Sequence, residues 1–439
     1  MKERIIKFTK LSKRITISCL AGLIVLLAIL SVIYSKNNFH TQSLPSAINI
    51  EQPAGYSSEI EAYVKFLESA PRTDPADYVL NLFKNYDIVV IGERGHPEIT
   101  QYDLIYKIVS DKRFIEYSGK VCLEVATQSI NDRLNTFLHT GGLKEKEVDT
   151  RLIKIYRDIY RTPYWEKYNL YDFLRKIYFL NDSLADNKKI SVYGTDTPVN
   201  WEDVSKPFFV KDIDMKENIR DETIAEFIYN RYAGSNSGSD KRNKLLVILN
   251  TVHSFKTIEG TSTQRLNLKL PGKVANVMLN TILPLVGTDN NMDATNKNAS
   301  VQDGKWDAAF RYVKNPNIAF DFKNTPFGKD YFDLADNFKN RFLHIYPGLN
   351  RNAENNYADA YDGFIFYYPL EKHRYVWRIP GFLDADFLPV FNLRIKTFFP
   401  DTKSLKAAEA TYEEFNSKQE MFYPDILRYN KEIEKWLTY

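Results

Sequence analysis

Two short apolar runs, each closing on a polar residue and then a histidine, constrain this chain more than any other feature. Ile88-Val89-Val90-Ile91 stops at Gly92 and delivers Glu93 and His96. Far downstream, Leu245-Leu246-Val247-Ile248-Leu249 runs into Asn250 and then His253. Short runs of this kind predict buried strands of an α/β sheet. Ligands in such sheets sit just beyond the carboxyl ends of the strands. The two runs therefore predict two halves facing one cleft.

The intervening segments alternate between strand and helix patterns. Strands are expected at 87–91, 120–125, 189–193 and 245–249, with further strands at 318–321 and 363–367. Helical spacing covers 60–67, 77–85, 100–110, 130–138 (with Ser129 as its N-cap), 148–160, 168–184 and 216–232. Alternation of this kind predicts an α/β fold, a mostly parallel central sheet covered by helices on both faces. Residues 287–304, rich in Asn, Asp and Thr, read as a flexible excursion, and 406–439 as a mostly helical tail. With no short-period repeat and no strong linker, 59–439 is expected to be one domain.

The N-terminus reads differently. Lys2, Arg4, Lys7, Lys10, Lys13 and Arg14 oppose Glu3 alone, so 1–14 is a basic segment. Ile15 to Tyr34 carries no charge and is rich in Leu, Ile, Val and Ala. About 20 apolar residues span a bilayer core, and basic residues before the span keep the N-terminus in the cytoplasm. The expectation is an N-terminal transmembrane helix at 15–34, an uncleaved signal anchor. A polar stalk at 35–58 follows, with the main domain outside the cytoplasm. The formal net charge of +3 gives no case for a nucleic-acid partner. The only cysteines, Cys19 and Cys122, fall in the membrane segment and in a strand, so no disulfide framework is expected.

Chemistry is concentrated at strand ends: Glu93 and His96, Glu124, Asp196, His253. A carboxylate inside Val121-Cys122-Leu123-Glu124-Val125 either lies at a solvated strand end or needs a buried partner, because an unpaired buried charge is costly. Arg220 shares a helix face with Ile224, Phe227 and Ile228. It either snorkels at the edge, reaches a buried anion, or pairs with Asp221 on the surface. His40, His139, His344 and His373 read as structural. The chain has no G-x-S-x-G elbow, H-E-x-x-H, P-loop or G-x-G-x-x-G, and two cysteines cannot build a C-x-x-C zinc pattern.

The order Gly92-Glu93-x-x-His96, Leu123-Glu124, Tyr193-Gly194-x-Asp196, Arg220-Asp221 and His253 resembles the erythromycin esterase-like proteins. Trp165, Tyr178-Phe179-Leu180-Asn181, Asp221-Glu222-Thr223-Ile224-Ala225 and Tyr361-Asp362-Gly363-Phe364-Ile365 resemble further segments of that family. The wider superfamily it resembles includes the haem-binding ChaN, TraB and TIKI proteins. The likeness spans roughly residues 87–368. Two positions differ from the esterases. Only His253 stands where they carry H-N-x-H, and the helix after the first motif offers Lys107 in place of an arginine.

The resemblance implies a membrane-anchored hydrolase of an ester or related bond in a small molecule. On this reading His96 is the general base on water, with Glu93 and Glu124 fixing it. His253 is a second acid/base or donor, and Arg220 stabilises the oxyanion. Asp196, Asp221 and Asn250 support them, and no cofactor is required. Two alternatives stay open. One is a TIKI-like hydrolase or peptidase with a divalent metal on His96, Glu124 and His253. The other is a non-catalytic haem- or ligand-binding protein of the ChaN kind. Oligomeric state is not indicated.

Overall fold

The run at the centre of the sequence is the centre of a sheet. In the computed structural model, β1 (Ile88–Glu93) is flanked on both sides by parallel strands. The structure describes residues 53–217, 219–236, 242–285, 297–400, 416–422 and 426–438. The expected basic segment, transmembrane helix and most of the stalk lie outside these residues. Among the described residues, no helix is long and apolar enough to cross a membrane.

Six more strands complete the sheet: β2 (Lys120–Thr127), β3 (Ser191–Asp196), β4 (Leu245–Asn250), β5 (Val274–Leu279), β6 (Ile318–Asp321) and β7 (Gly363–Phe366). Their spatial order is β3-β2-β4-β1-β5-β7-β6, all parallel except the edge pair β7–β6. β5 was not read from the sequence, because Asn276 interrupts its apolar run. Three predicted strands extend further than expected, so Glu93 and Asp196 are the last residues of their strands rather than residues after them, and Glu124 lies inside its strand as read.

Strand side chains alternate between faces, and the two faces pack against different helices. On one side Val89, Ile91, Val121, Leu123, Leu246 and Ile248 join a core with five helices. These are α1 (Pro75–Leu82), α2 (Thr100–Val109), α3 (Asn131–His139), α4 (Glu145–Tyr156) and α5 (Tyr168–Asp182). On the other side Ile88, Val90, Cys122, Leu245, Val247 and Leu249 pack on Ile224, Ala225, Ile228 and Leu266. Those residues come from α6 (Arg220–Asn236) and α7 (Ser262–Lys269).

Crossover handedness explains the division. From β1 to β2 to β3 the chain moves one way along the sheet, and from β3 to β4 to β5 it moves back. Right-handed crossovers in opposite directions must use opposite faces. β1 and β4 are neighbours whose outgoing connections leave on different faces, which opens a crevice at their carboxyl ends.

Several expectations are corrected. Ser129 is not a helix N-cap; its Oγ accepts from Val199 N (2.8 Å), and α3 begins at Asn131. The predicted helix 216–232 is two helices, Phe209–Glu217 and α6. The described part of 287–304 holds a strand, Lys297–Ser300, paired with Ile282–Leu285. The described part of the tail holds a strand, Gln419–Phe422, paired with Arg374–Trp377, besides the helix Ile426–Glu434. Gly55–Tyr56, assigned to the stalk, pairs with Leu437–Thr438 and so belongs to the domain.

Candidate active site

β1 ends with Glu93 on the face that carries α2. Its carboxylate is buried and accepts from Tyr102 Oη of α2 (3.1 Å) and from His96 Nδ1 (3.0 Å). Accepting from Nδ1–H fixes the imidazole tautomer and leaves the Nε2 lone pair free to act as a base. Nε2 faces Asn250 Nδ2, from the end of β4, at 3.4 Å. The Trp165 ring packs edge-on against the imidazole at 5.0 Å. Burial pushes the Glu93 carboxyl above its ordinary range, against the pull of His96.

The turn that carries His96 is held from below. Arg94 is buried, pairs with Glu98 at 3.0 Å and donates Nε to Asn280 O at 2.7 Å. Asn169 Nδ2 donates to the His96 carbonyl at 2.6 Å. A Cβ on Gly95 would sit 2.1 Å from Tyr375 Oη, so the close approach requires glycine. Neither Arg94 nor Glu98 was singled out in the sequence, since a charged i, i+4 pair reads as a surface feature.

Glu124 points to the opposite face, where α6 begins. It is buried, and Arg220, the first residue of α6, donates Nη2 to its Oε1. Arg220 also donates Nε to Asp196 Oδ1 and Nη2 to Asp196 Oδ2, each at 2.9 Å, and Nη1 to His253 Nε2 at 2.9 Å. Four of its five N–H groups are thereby engaged. Arg220 reaches buried anions, and Asp221 pairs with His253 rather than with it. Burial pushes the Glu124 carboxyl up, but Arg220, with His253 and His96 behind it, outweighs burial and holds it at about 2.

His253 forms a second carboxylate–imidazole pair. Its Nδ1 lies 3.0 Å from both Asp221 oxygens, and Asp221 is held by Ser262 N and Oγ at 2.6 Å each. Tyr346 Oη donates to Asp221 as well. Burial lowers the His253 pKa, and Asp221 more than offsets it, so protonation is favoured overall. The Arg220 contact opposes this, because a guanidinium N–H needs a lone pair on Nε2. The geometry drawn is therefore neutral imidazole with Nδ1–H on Asp221.

His96 and His253 line one cavity of about 480 Å³ with Glu124, Arg220 and Asn250. Asp196 and Asp221 stand behind it on Arg220 and His253. A larger groove, about 850 Å³, runs along the outer side of α6 and contains none of these groups. Both ring nitrogens of His253 are engaged, Nδ1 by Asp221 and Nε2 by Arg220 at 2.9 Å, whereas His96 Nε2 meets only the longer Asn250 contact at 3.4 Å. The group that converges is Glu93, His96 and Glu124, whose ligand atoms lie within 4.8 Å of one another. An imidazole and two carboxylates suit a divalent cation with an N/O ligand set.

No protein-family model matches this chain, and no curated protein does. Three solved structures are similar in part. The type III effector HopBA1 has a TM-score of 0.31 at 15% identity, covering 52% of this chain and 93% of its own. A Bacillus cereus protein has a TM-score of 0.38 at 12% identity, covering 70% and 97%. A succinoglycan biosynthesis protein has a TM-score of 0.39 at 11% identity, covering 71% and 97%.

The remaining cavity wall was not foreseen. Tyr160, Arg161, Phe338, Phe342 and Tyr346 come from segments without a strand-end signature. Phe338 and Phe342 lie on α8 (Asp333–Phe342), a helix whose apolar face reads from sequence as ordinary core.

Proposed function

We propose that this chain is a hydrolase in which His96 activates water against an ester or related bond of a small molecule. The observation that carries this is the Glu93–His96 pair, with Nδ1 committed to a buried carboxylate and Nε2 turned to the cavity. His96 Nε2 removes a proton from water, and the Glu93 carboxylate stabilises the imidazolium that forms. Glu124 stays ionised beside it, and Arg220 supplies positive charge to the wall where oxyanion charge develops. His253 orients Arg220. The residue order resembles that of the erythromycin esterase-like proteins, and the apolar segment 15–34 supports anchoring with the domain outside the cytoplasm.

The test is His96→Ala, assayed across a panel of carboxylic esters and amides. Turnover is expected to fall by about 10²–10⁴-fold, with the urea midpoint unchanged. Equal turnover by both proteins rules the role out.

A second reading is favoured by the 4.8 Å convergence of Glu93, His96 and Glu124. These three would hold a divalent cation, which would supply a bound water of lowered pKa. Metal analysis of the purified chain, with a chelator titration of activity, separates the two readings. Full activity in a metal-free preparation excludes the second.

A further inference from the structure

The cavity wall includes a phenol that the reading above leaves unused, that of Tyr160, next to Arg161. These residues follow α4, in a segment tied to the end of β2 by the hydrogen bond from Thr127 N to Ile159 O (2.9 Å). The tether sets Tyr160 beside the carboxyl end of the strand that carries Glu124. The Tyr160 ring stacks on Trp165 at 3.7 Å with 22° between planes, and Trp165 packs in turn on His96. Three rings in contact make a rigid wall from the phenol to the base.

Tyr160 is half-buried and lines the cavity. Its phenol is thus one of the few neutral O–H donors on a wall rich in charged groups. The charged groups that act on this phenol are Arg220, Glu124, Arg161 and Asp196, which places it within the charged cluster. Burial pushes its pKa up, so it keeps its proton at neutral pH. Arg161 is fixed beside it. One end of its guanidinium is held by Glu217, while the buried Nε has no hydrogen-bond partner. Asp196 Oδ2, at 3.8 Å, is too far for one. Arg220 adds one N–H on Nη1 that none of its four contacts uses.

A protonated phenol on the wall of the hollow, in ring contact with the residue that packs on the base, is placed to meet an acceptor from outside the chain. We propose that Tyr160 is a catalytic residue, donating its Oη–H to the carbonyl oxygen of the substrate as that oxygen becomes an oxyanion, with the positive charge of Arg220 on the same wall. The proposal rests on the hydrolase reading and specifies where the reacting carbonyl lies. Water adds to the carbonyl carbon as His96 takes its proton, and the carbonyl π pair moves onto the oxygen held by Tyr160. The tetrahedral species then collapses, the bond to the leaving alkoxide breaks, and the alkoxide takes the proton back from His96. Tyr160 keeps its own proton throughout.

Tyr160→Phe keeps the stack on Trp165 and removes only the hydroxyl. In the full chain it is expected to lower kcat on phenyl acetate by about 10²–10³-fold, with KM changed less than threefold and the melting temperature unchanged. A second readout needs no turnover. Phenyl methylphosphonate, a tetrahedral anion, is expected to bind Tyr160→Phe at least tenfold more weakly than the wild type. Equal phosphonate affinity in the two proteins, or no binding to either, overturns the proposal. Phosphonate binding that depends on Tyr160, with the wild type no faster on esters than His96→Ala, leaves the oxygen-binding role standing and removes the hydrolase reading instead.

Discussion

At the scale of single residues, the site sorts its carboxylates by environment. Glu93 and Glu124 are both buried, yet their pKa values move in opposite directions. Burial raises Glu93 against the opposing pull of its imidazole and phenol partners; at Glu124 the guanidinium of Arg220 outweighs burial and the pKa falls to about 2. The second shift links stability to pH. The folded pKa of Glu124 lies below its ordinary value of 4.5, so its contribution is complete above that value. It is lost as pH falls toward 2, and amounts to about 3 kcal/mol. Urea unfolding from pH 6 to pH 2.5 is expected to show this loss. In Glu124→Gln the acid dependence should be shallower by that amount, and an unchanged slope counts against the Arg220–Glu124 pairing.

At the scale of elements, what could be read in the sequence follows from periodicity. β1 and β4 were legible because unbroken apolar runs with polar ends have few other interpretations. The strand-end residues Glu93, His96, Glu124 and Asp196 were legible for the same reason. Arg220 was legible as an arginine on an apolar helix face, although its anions were not. β5 was illegible because Asn276 sits in its middle. The structure gives that asparagine its purpose: Nδ2 donates to Ser254 O at 2.8 Å and to Ala360 O at 2.9 Å, joining the middle of β5 to the segment after β4 and to the turn that enters β7. Asn276→Leu removes the side-chain donor from both carbonyls, and Ala360 O keeps only Lys256 N at 3.3 Å. The substitution is expected to cost about 2 kcal/mol or more in chemical denaturation, and to lower activity by disturbing the segment beside His253. Tyr160, Arg161 and Tyr346 were illegible for another reason. They reach the cavity from irregular segments, where no period marks which side chain turns inward.

At the scale of the whole molecule, the described domain follows in sequence an N-terminal stretch whose composition suits a bilayer. The full chain is expected to stay in the membrane fraction through an alkaline carbonate wash, and to be cut by protease added outside intact cells. Release by the wash, or complete protection from external protease, would count against anchoring with that orientation. Deleting residues 1–34 should move the chain to the soluble fraction.

Within the domain, the base and the guanidinium belong to opposite sides of the sheet. Glu93 and Tyr102 tie His96 to the α2 side, whereas Arg220 opens α6 on the other. A small molecule gripping both groups would staple the two coats of the sheet together across its rim. Filling the hollow should therefore stiffen the entire body, and amide exchange in α2 and α6 should slow in step on occupancy although the two helices share no core.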